Sequence, residues 1–426
     1  MADDWLQPQV AHDRARPFHS WNRNFVNDPT PAVFLDIDGF SLEEWKQIVG
    51  SIAAGSSRKP SPTERAFGDW QDRLRGRATK KFPQAETMLF SETLLQQASS
   101  LAIGRYKARR FAGVGPVADL CCGLGGDLIA LAEVGEAIGV DRHPVAALLA
   151  RHNLAAQGLT ADVVECDVEA FDLDRVAAWH VDPDRRTATS HERSSRTVHL
   201  ESFSPDVEWL REALRRRPDA CVKLAPATPV PDDLAALGTR EWVGAEGETK
   251  QQLLWAGQFR DATVGRAATL LNDEGQPVAQ FASDGGDADG EEETCELADG
   301  ADAFAYEPHS ALLTAGLAER WAASNGLARV AFGVEYFVGP AAIASPWSAC
   351  FAVEEELPFD RRKLKAYLRE RNVGTLEIKV RRARVVPEEL RRELKVPGDE
   401  SRTLLVYAEP SGKHRVIIAR RIAVAS

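Results

Sequence analysis

The sequence predicts an α/β protein: a doubly wound, largely parallel sheet preceded by a helical N-terminal region and followed by a smaller α+β unit. Three observations carry this expectation. Short apolar strands alternate with helical stretches from Val117 to Leu224, a glycine-rich turn follows the first strand, and acidic residues recur where successive strands end.

Residues 1 to about 40 are interrupted by proline and show no period. Ser41-Leu-Glu-Glu44 and Ser61-Pro62-Thr63-Glu64 are capping boxes. The first opens a helix with Trp45, Ile48 and Val49 on one side, the second a helix carrying Phe67, Trp70 and Leu74. A basic cluster, Arg73, Arg75, Arg77, Lys80 and Lys81, ends this region, either as a solvated helix end or as a phosphate-facing edge. Phe90 to Arg110 reads as one further helix, with Leu94, Leu95, Ala98, Leu101 and Ala102 as its apolar face.

Val117-Ala-Asp119-Leu is the first strand, and Cys121-Cys122-Gly123-Leu-Gly125-Gly126-Asp127 is the turn. Its glycines permit positive φ and leave no Cβ between the backbone amides and a ligand. The helix after it begins at the same place. Ala137 to Val140 is a second strand ending in Asp141, where a βαβ nucleotide site puts its ribose-hydroxyl acceptor, about 16 to 20 residues past the glycines. Pro144 to Gln157 is helical. Val163 to Cys166 is closed by Asp167, Trp179 to Val181 by Asp182-Pro183-Asp184-Arg185-Arg186, and Ala220 to Leu224 by Ala225-Pro226. In an open α/β sheet that carboxyl edge is the binding crevice.

A chain of 426 residues, 44% hydrophobic and 27% charged, has the composition of a soluble globular protein with two or three domains. The N-terminus lacks a basic start and an apolar core, and no stretch approaches the roughly 18 apolar residues of a membrane span; a cytoplasmic protein is expected. Six cysteines without C-x-x-C spacing argue for reduced, buried thiols, and against a disulfide framework or a metal site. The net charge of −12 is uneven: residues 361–426 hold 18 Lys and Arg against 8 acidic residues. Local basic patches, not the total, decide affinity for phosphates.

After the fifth strand, 240–243 and 250–257 read as extended, and 267–271 with 278–282 as a hairpin. Residues 284–302, rich in Asp, Glu and Gly, form an acidic loop or linker. Beyond it come a helix (310–325), a long apolar connection containing Trp347, strand (349–355), helix (360–371), strand (374–379), helix (387–394) and a hairpin of 403–407 with 415–419. Such alternation suggests a small ferredoxin-like α+β unit.

The dinucleotide fingerprint requires Gly or Ala where Leu128 stands, which disfavours a dehydrogenase. Carboxylates at 119, 127, 141 and 167 suit a cationic sulfonium, its amino group and ribose hydroxyls better than a diphosphate. On these residues the chain resembles the class I S-adenosylmethionine-dependent methyltransferases, whose fold is Rossmann-like. The resemblance implies that Asp119, Cys121, Gly123, Gly125, Gly126 and Asp127 hold the methionine end. It further implies that Asp141 with Arg142 meets the ribose, that Asp167 with Val168 faces the adenine, and that Gln97-Ala98-Ser99 lies against the cofactor.

Glu356-Leu-Pro-Phe-Asp-Arg-Arg, Arg371-Asn-Val-Gly-Thr-Leu-Glu-Ile-Lys and Pro387-Glu-Glu-Leu-Arg-Arg look like the C-terminal THUMP-like domain found behind a methyltransferase domain in a bacterial family. The organisation implied is a helical region 1–80, a methyltransferase domain 81–283, a linker 284–302 and a THUMP-like domain 303–426. An RNA substrate is implied with it. In that family the loop after strand four presents the acceptor, here Asp182 and Pro183. The aromatic residue usual in enzymes acting on exocyclic amines is missing, which puts that acceptor in doubt. Arg185 and Arg186 are candidates for phosphate or base contact, and Arg381 and Arg382 head the densest basic run of the last domain. The competing readings are methylation of a protein or small molecule, and an inert RNA-binding relative. The oligomeric state is left open.

Overall fold

The structure, a computed structural model, describes residues 36–53, 61–185, 203–284 and 295–423. Helices α1 (Leu42–Ala53) and α2 (Pro62–Ala78) form at the capping boxes. Ser61 N donates to the Glu64 carboxylate at 2.7 Å, and Glu64 N donates back to the Ser61 hydroxyl at 3.2 Å. Trp45 and Phe67 are buried and meet edge to face at 5.1 Å, knitting the two helices together.

The single helix expected over 90–110 is instead two, α3 (Glu92–Gln97) and α4 (Leu101–Ala108), followed by a 3-10 turn at Arg109–Phe111. Ser91 and Ser100 each cap the helix after them, accepting from Leu94 N at 3.0 Å and Ile103 N at 3.4 Å. Packing explains the interruption. A Cβ on Gly126 would lie 3.3 Å from the Ser99 carbonyl oxygen, so extended backbone at 98–100 comes directly against the glycine turn.

The large sheet contains β1 (Val117–Leu120), β2 (Ala137–Asp141), β3 (Asp162–Glu165), β4 (Ala178–Val181), β5 (Ala220–Leu224), β6 (Gly238–Ala245), β7 (Glu248–Ala256), β8 (Val264–Leu271) and β9 (Pro277–Asp284). Their order is β9-β8-β6-β7-β5-β4-β1-β2-β3. The first five are mutually parallel, while β7 runs antiparallel to β5 and β6. Helices α5 (Gly126–Val134) and α6 (Pro144–Ala156) join the N-terminal helices in one apolar core, and α7 (Val207–Arg216) belongs to the other; the short α8 (Asp232–Ala235) precedes β6. Strand order reverses between β1 and β4, so the crevice opens at their carboxyl ends, beside the glycine turn and Asp182.

The second sheet has β10 (Phe304–Pro308), β11 (Ala328–Arg329), β12 (Phe337–Gly339), β13 (Ser348–Pro358), β14 (Val373–Arg381), β15 (Glu400–Ala408) and β16 (His414–Ile422), in the order β11-β12-β10-β13-β16-β15-β14. The helix expected over 310–325 is divided into α9 (Ser310–Ala315) and α10 (Ala318–Ser324) by Gly316, which ends the first in the left-handed region at φ 69°. The apolar connection with Trp347 contains β11 and β12. The closing hairpin forms over the expected spans, pairing Thr403 with Ala419 and Tyr407 with Arg415. Helices α11 (Arg361–Glu370) and α12 (Pro387–Leu394) cover one face of β13 to β16. The two sheets meet where Leu312 and Tyr306 pack with Trp242 and Leu270, and Thr249 N donates to the Ser310 hydroxyl at 2.9 Å.

Candidate functional site

The turn after β1 is tighter than its glycines alone indicate. Cys121 itself sits in the left-handed region at φ 62°, ahead of Gly123 at 56° and Gly125 at 91°. A non-glycine residue held there is a local cost that the surroundings must enforce. Asp141 does part of the enforcing: it accepts from Gly123 N and from His143 N, each at 2.8 Å. Burial pushes its carboxyl up to about 6, against the pull of those two amides.

Beneath the turn lies a buried chain of charges. Asp119 and His180 are paired across neighbouring strands, with Asp119 Oδ1 2.8 Å from His180 Nδ1. His180 Nε2 is 3.1 Å from Lys107 Nζ, and Lys107 donates to Asp127 Oδ2 at 2.7 Å. Burial would raise Asp127, but Lys107 and His180 outweigh it and hold the carboxyl at about 2. Burial pushes Asp119 upward despite His180. Three buried oxygens here have no hydrogen-bond partner among the described residues: Asp119 Oδ2, Asp127 Oδ1 and Ser99 Oγ. Such groups are costly without a donor. Acceptors in this arrangement fit the ammonium-bearing end of a cationic ligand, and they sit directly under the turn.

An ion pair lies at the same edge. Asp182, following β4, is bound by the Lys223 ammonium from β5 in a short ion pair. Burial works against the Lys223 charge, yet Asp182, Asp127 and Asp119 outweigh it and keep its pKa above the usual lysine value. Lys81 donates to the carbonyls of Leu95 (2.8 Å), Gln96 (3.2 Å) and Ala98 (2.7 Å), fixing the end of α3. Burial first, then the charges of Lys223 and Lys250, push the Lys81 pKa down. Pro183 is buried. A shallow cavity lined by Leu214, Pro218, Leu237 and Arg260 lies at the amino end of β5, away from this edge.

The remaining expected residues separate into groups. Asp167 is exposed at the end of β3, where it caps the 3-10 turn beginning at Val168 by accepting from Glu169 N at 3.0 Å; Arg142 stands 3.8 Å away. Gln97 is exposed at the end of α3. Cys122 is buried, and burial pushes its thiol well up, as a packing role requires. The backbone of Arg185 pairs with Phe203, while Arg186 lies outside the described residues. The basic run is partly covered, with Arg382 and Arg384 exposed. Glu307 on β10 binds Lys379 at 2.6 Å and Arg381 at 3.0 Å, and Arg382 donates to the Gly333 carbonyl at 3.3 Å. The basic end of α2 is similarly occupied: Arg75 donates to Met88 O at 3.1 Å and Arg77 pairs with Glu92 at 2.5 Å.

Sequence reasoning missed Lys107, His180 and Lys223 as members of the site. The signal was present. Each is a titratable residue inside an otherwise apolar strand or inward helix face, where burial demands a partner. Among the described residues, no group of three or more His, Cys, Asp or Glu side chains is placed to hold a metal ion, and no helix is long and apolar enough to cross a membrane.

Residues 348–421 match the model of the THUMP domain-like family. An uncharacterised S-adenosylmethionine-dependent methyltransferase of Mycobacterium tuberculosis, found in two strains, is 33% identical over 322 residues, covering 75% of this chain and 83% of the relative. A crystal structure from Porphyromonas gingivalis W83, whose methyltransferase assignment is itself provisional, superposes with a TM-score of 0.71 at 25% identity, covering 90% of this chain and all of that one. The chain belongs to the class I S-adenosylmethionine-dependent methyltransferases, carries a THUMP-like domain at its C-terminal end, and uses S-adenosylmethionine as cofactor.

Proposed function

We propose that this enzyme methylates RNA, with the nucleotide entering at the Asp182–Lys223 edge of the crevice. The observation that carries the reading is the meeting of two features at the carboxyl ends of neighbouring strands: the unpartnered buried oxygens of Asp119, Asp127 and Ser99 beneath the turn, and the Asp182–Lys223 ion pair beside them. The unpartnered oxygens suit a cationic donor, and the ion pair at the strand ends gives a polar acceptor a group to bond. The THUMP-like match over 348–421 supports the choice of RNA. The same reading divides the chain into a helical region to residue 80, a methyltransferase domain over 81–283, a linker over 284–302 and a THUMP-like domain from 303.

Bound S-adenosylmethionine supplies a methyl group already activated on a positively charged sulfur. The chain therefore has to orient the acceptor and exclude water. Asp119, Asp127 and Ser99 offer their unpartnered oxygens to the amino end of the donor, Asp141 stiffens the turn and with Arg142 meets the ribose, and Asp167 and Val168 border the adenine side. Gln97 flanks the entrance. Asp182, held in place by Lys223 and followed by the rigid Pro183, receives the proton or hydrogen bond of the acceptor, with Arg185 and Arg186 at its phosphates.

The test is transfer of labelled methyl from the cofactor to total RNA from a strain lacking the protein, followed by nucleoside mapping. Asp182→Ala should abolish incorporation while leaving affinity for S-adenosylhomocysteine within a few-fold. Incorporation equal to that of the unaltered enzyme rejects the role of Asp182, and label in the protein fraction alone rejects RNA.

A further inference from the structure

The surplus of positive charge in the last 66 residues is spread over several elements, and in the run at 379–384 Glu307 holds two of the four cations, Lys379 and Arg381. A further part of it lies on α11. Between Arg361 and Arg371 the sequence has six cations and one carboxylate. Leu364 and Leu368 face the sheet and are buried. Alternate residues of β15 divide the two sides of that sheet: Leu404 and Val406 pack in the core with α11 and α12, while Leu405 and Tyr407 pack in a different core with Val334 and Tyr336. The two helices are thus the outer layer of this unit.

Part of the charge serves the fold. Arg361 pairs with Glu393 at 3.1 Å, and Lys365 donates to the Glu393 carbonyl at 2.8 Å, tying α11 to α12. Arg371 lies over the Tyr367 ring, 3.5 Å from its centroid. Arg362, Lys363 and Arg369 are different. All three are exposed, and none has a carboxylate within ion-pair distance among the described residues. Arg362 and Arg369 are seven residues apart on one side of the helix, about 10 Å along its axis. In a chain whose net charge is −12, this is a local field of the opposite sign, held on a rigid element.

We propose that the outer face of α11, through Arg362, Lys363 and Arg369, docks the phosphate backbone of the RNA substrate, in preference to the run at 379–384, where Glu307 already holds Lys379 and Arg381. The proposal rests on the RNA reading above. It assigns α11 to positioning and leaves chemistry to the crevice, since phosphate contacts fix register without reading sequence.

The test uses the full chain and two probes, a fluorescein-labelled RNA hairpin and deproteinised ribosomal RNA, titrated over a range of salt. Arg362→Glu combined with Arg369→Glu should weaken binding about ten- to a hundredfold at low salt and lower the slope of log affinity against log salt by about 1.5. Arg260→Glu combined with Lys413→Glu makes the same change in net charge off this helix and should alter affinity less than threefold. Equal losses in the two double variants would overturn the docking face and leave a net-charge effect. Unchanged affinity in the α11 variant, with a loss in Arg382→Glu, would return docking to the run at 379–384. Competition by polyglutamate as effective as that by unlabelled RNA would assign the face to an acidic protein partner. No RNA binding by the unaltered protein at low salt would overturn this proposal and the RNA reading together.

Discussion

The charges beneath the glycine turn and the charges on α11 are held in opposite ways. Under the turn, Lys107, His180, Asp119 and Asp127 are buried and bonded to one another, so each depends on its neighbours for solvation. On α11, Arg362, Lys363 and Arg369 stand in water and depend on nothing. A buried ion pair with one member removed leaves an uncompensated charge, whereas an exposed cation removed leaves only water. The difference teaches where function and stability are entangled. In the crevice, a change that alters ligand binding also threatens the fold; on the outer helix, binding can be altered alone.

The comparison is sharpest at Lys107. Lys107→Met should destabilise the protein by about 3–5 kcal/mol, measured by denaturant unfolding, because Asp127 is left charged and buried. Lys107→Met with Asp127→Asn should recover part of that loss, and a double variant no better than the single one would break the view that the pair is electrostatically coupled. Glu307→Gln is intermediate. It strips the shared carboxylate from the half-buried Lys379 and Arg381, so a loss of about 1–3 kcal/mol is expected, with a modest gain in RNA affinity as those cations are released.

Asp141 tests the crevice by pH. Its folded-state carboxyl, raised by burial to about 6, holds a proton more tightly than the unfolded chain does. Its contribution to stability is therefore fully present at low pH, below the ordinary carboxylate range, and is lost as pH rises through about 6. Asp141→Asn should remove that pH-dependent component from thermal unfolding measured between pH 4 and 7; an unaltered profile would show that Asp141 titrates normally. The smallest effect is expected on α11, where Arg362→Glu with Arg369→Glu should shift folding stability by no more than about 0.5 kcal/mol per substitution. A larger loss would mean that these cations are structural after all.

Much of the fold was legible because its signals are local. Short apolar runs gave β1 to β5, those of β2, β3 and β4 closed by carboxylates, and the serine-headed capping boxes gave α1 and α2. The interrupted helix at 90–110 was not read, although Ser91 and Ser100 both had the means to cap a new helix. What breaks it is the need to bring the Ser99 backbone against Gly126, a contact between segments distant in sequence. Asp119, Asp127, Asp141 and Asp182 were legible as candidates because strand ends collect at one edge. Their partners were not, since Lys107 comes from a helix before the sheet begins and Lys223 from a strand forty-one residues past Asp182.

By itself the sequence determined the alternation of strands and helices, the glycine turn and the acidic strand ends, because periodicity, capping and backbone freedom act over a few residues. Only the tertiary structure decided which charges are spoken for. Glu307 binds two cations of a basic run that begins seventy-two residues later, His180 and Lys107 bridge two carboxylates, and α11 leaves Arg362, Lys363 and Arg369 exposed while Arg361 is tied to Glu393. Coulombic partnership depends on distance in space, and sequence separation carries almost none of that information.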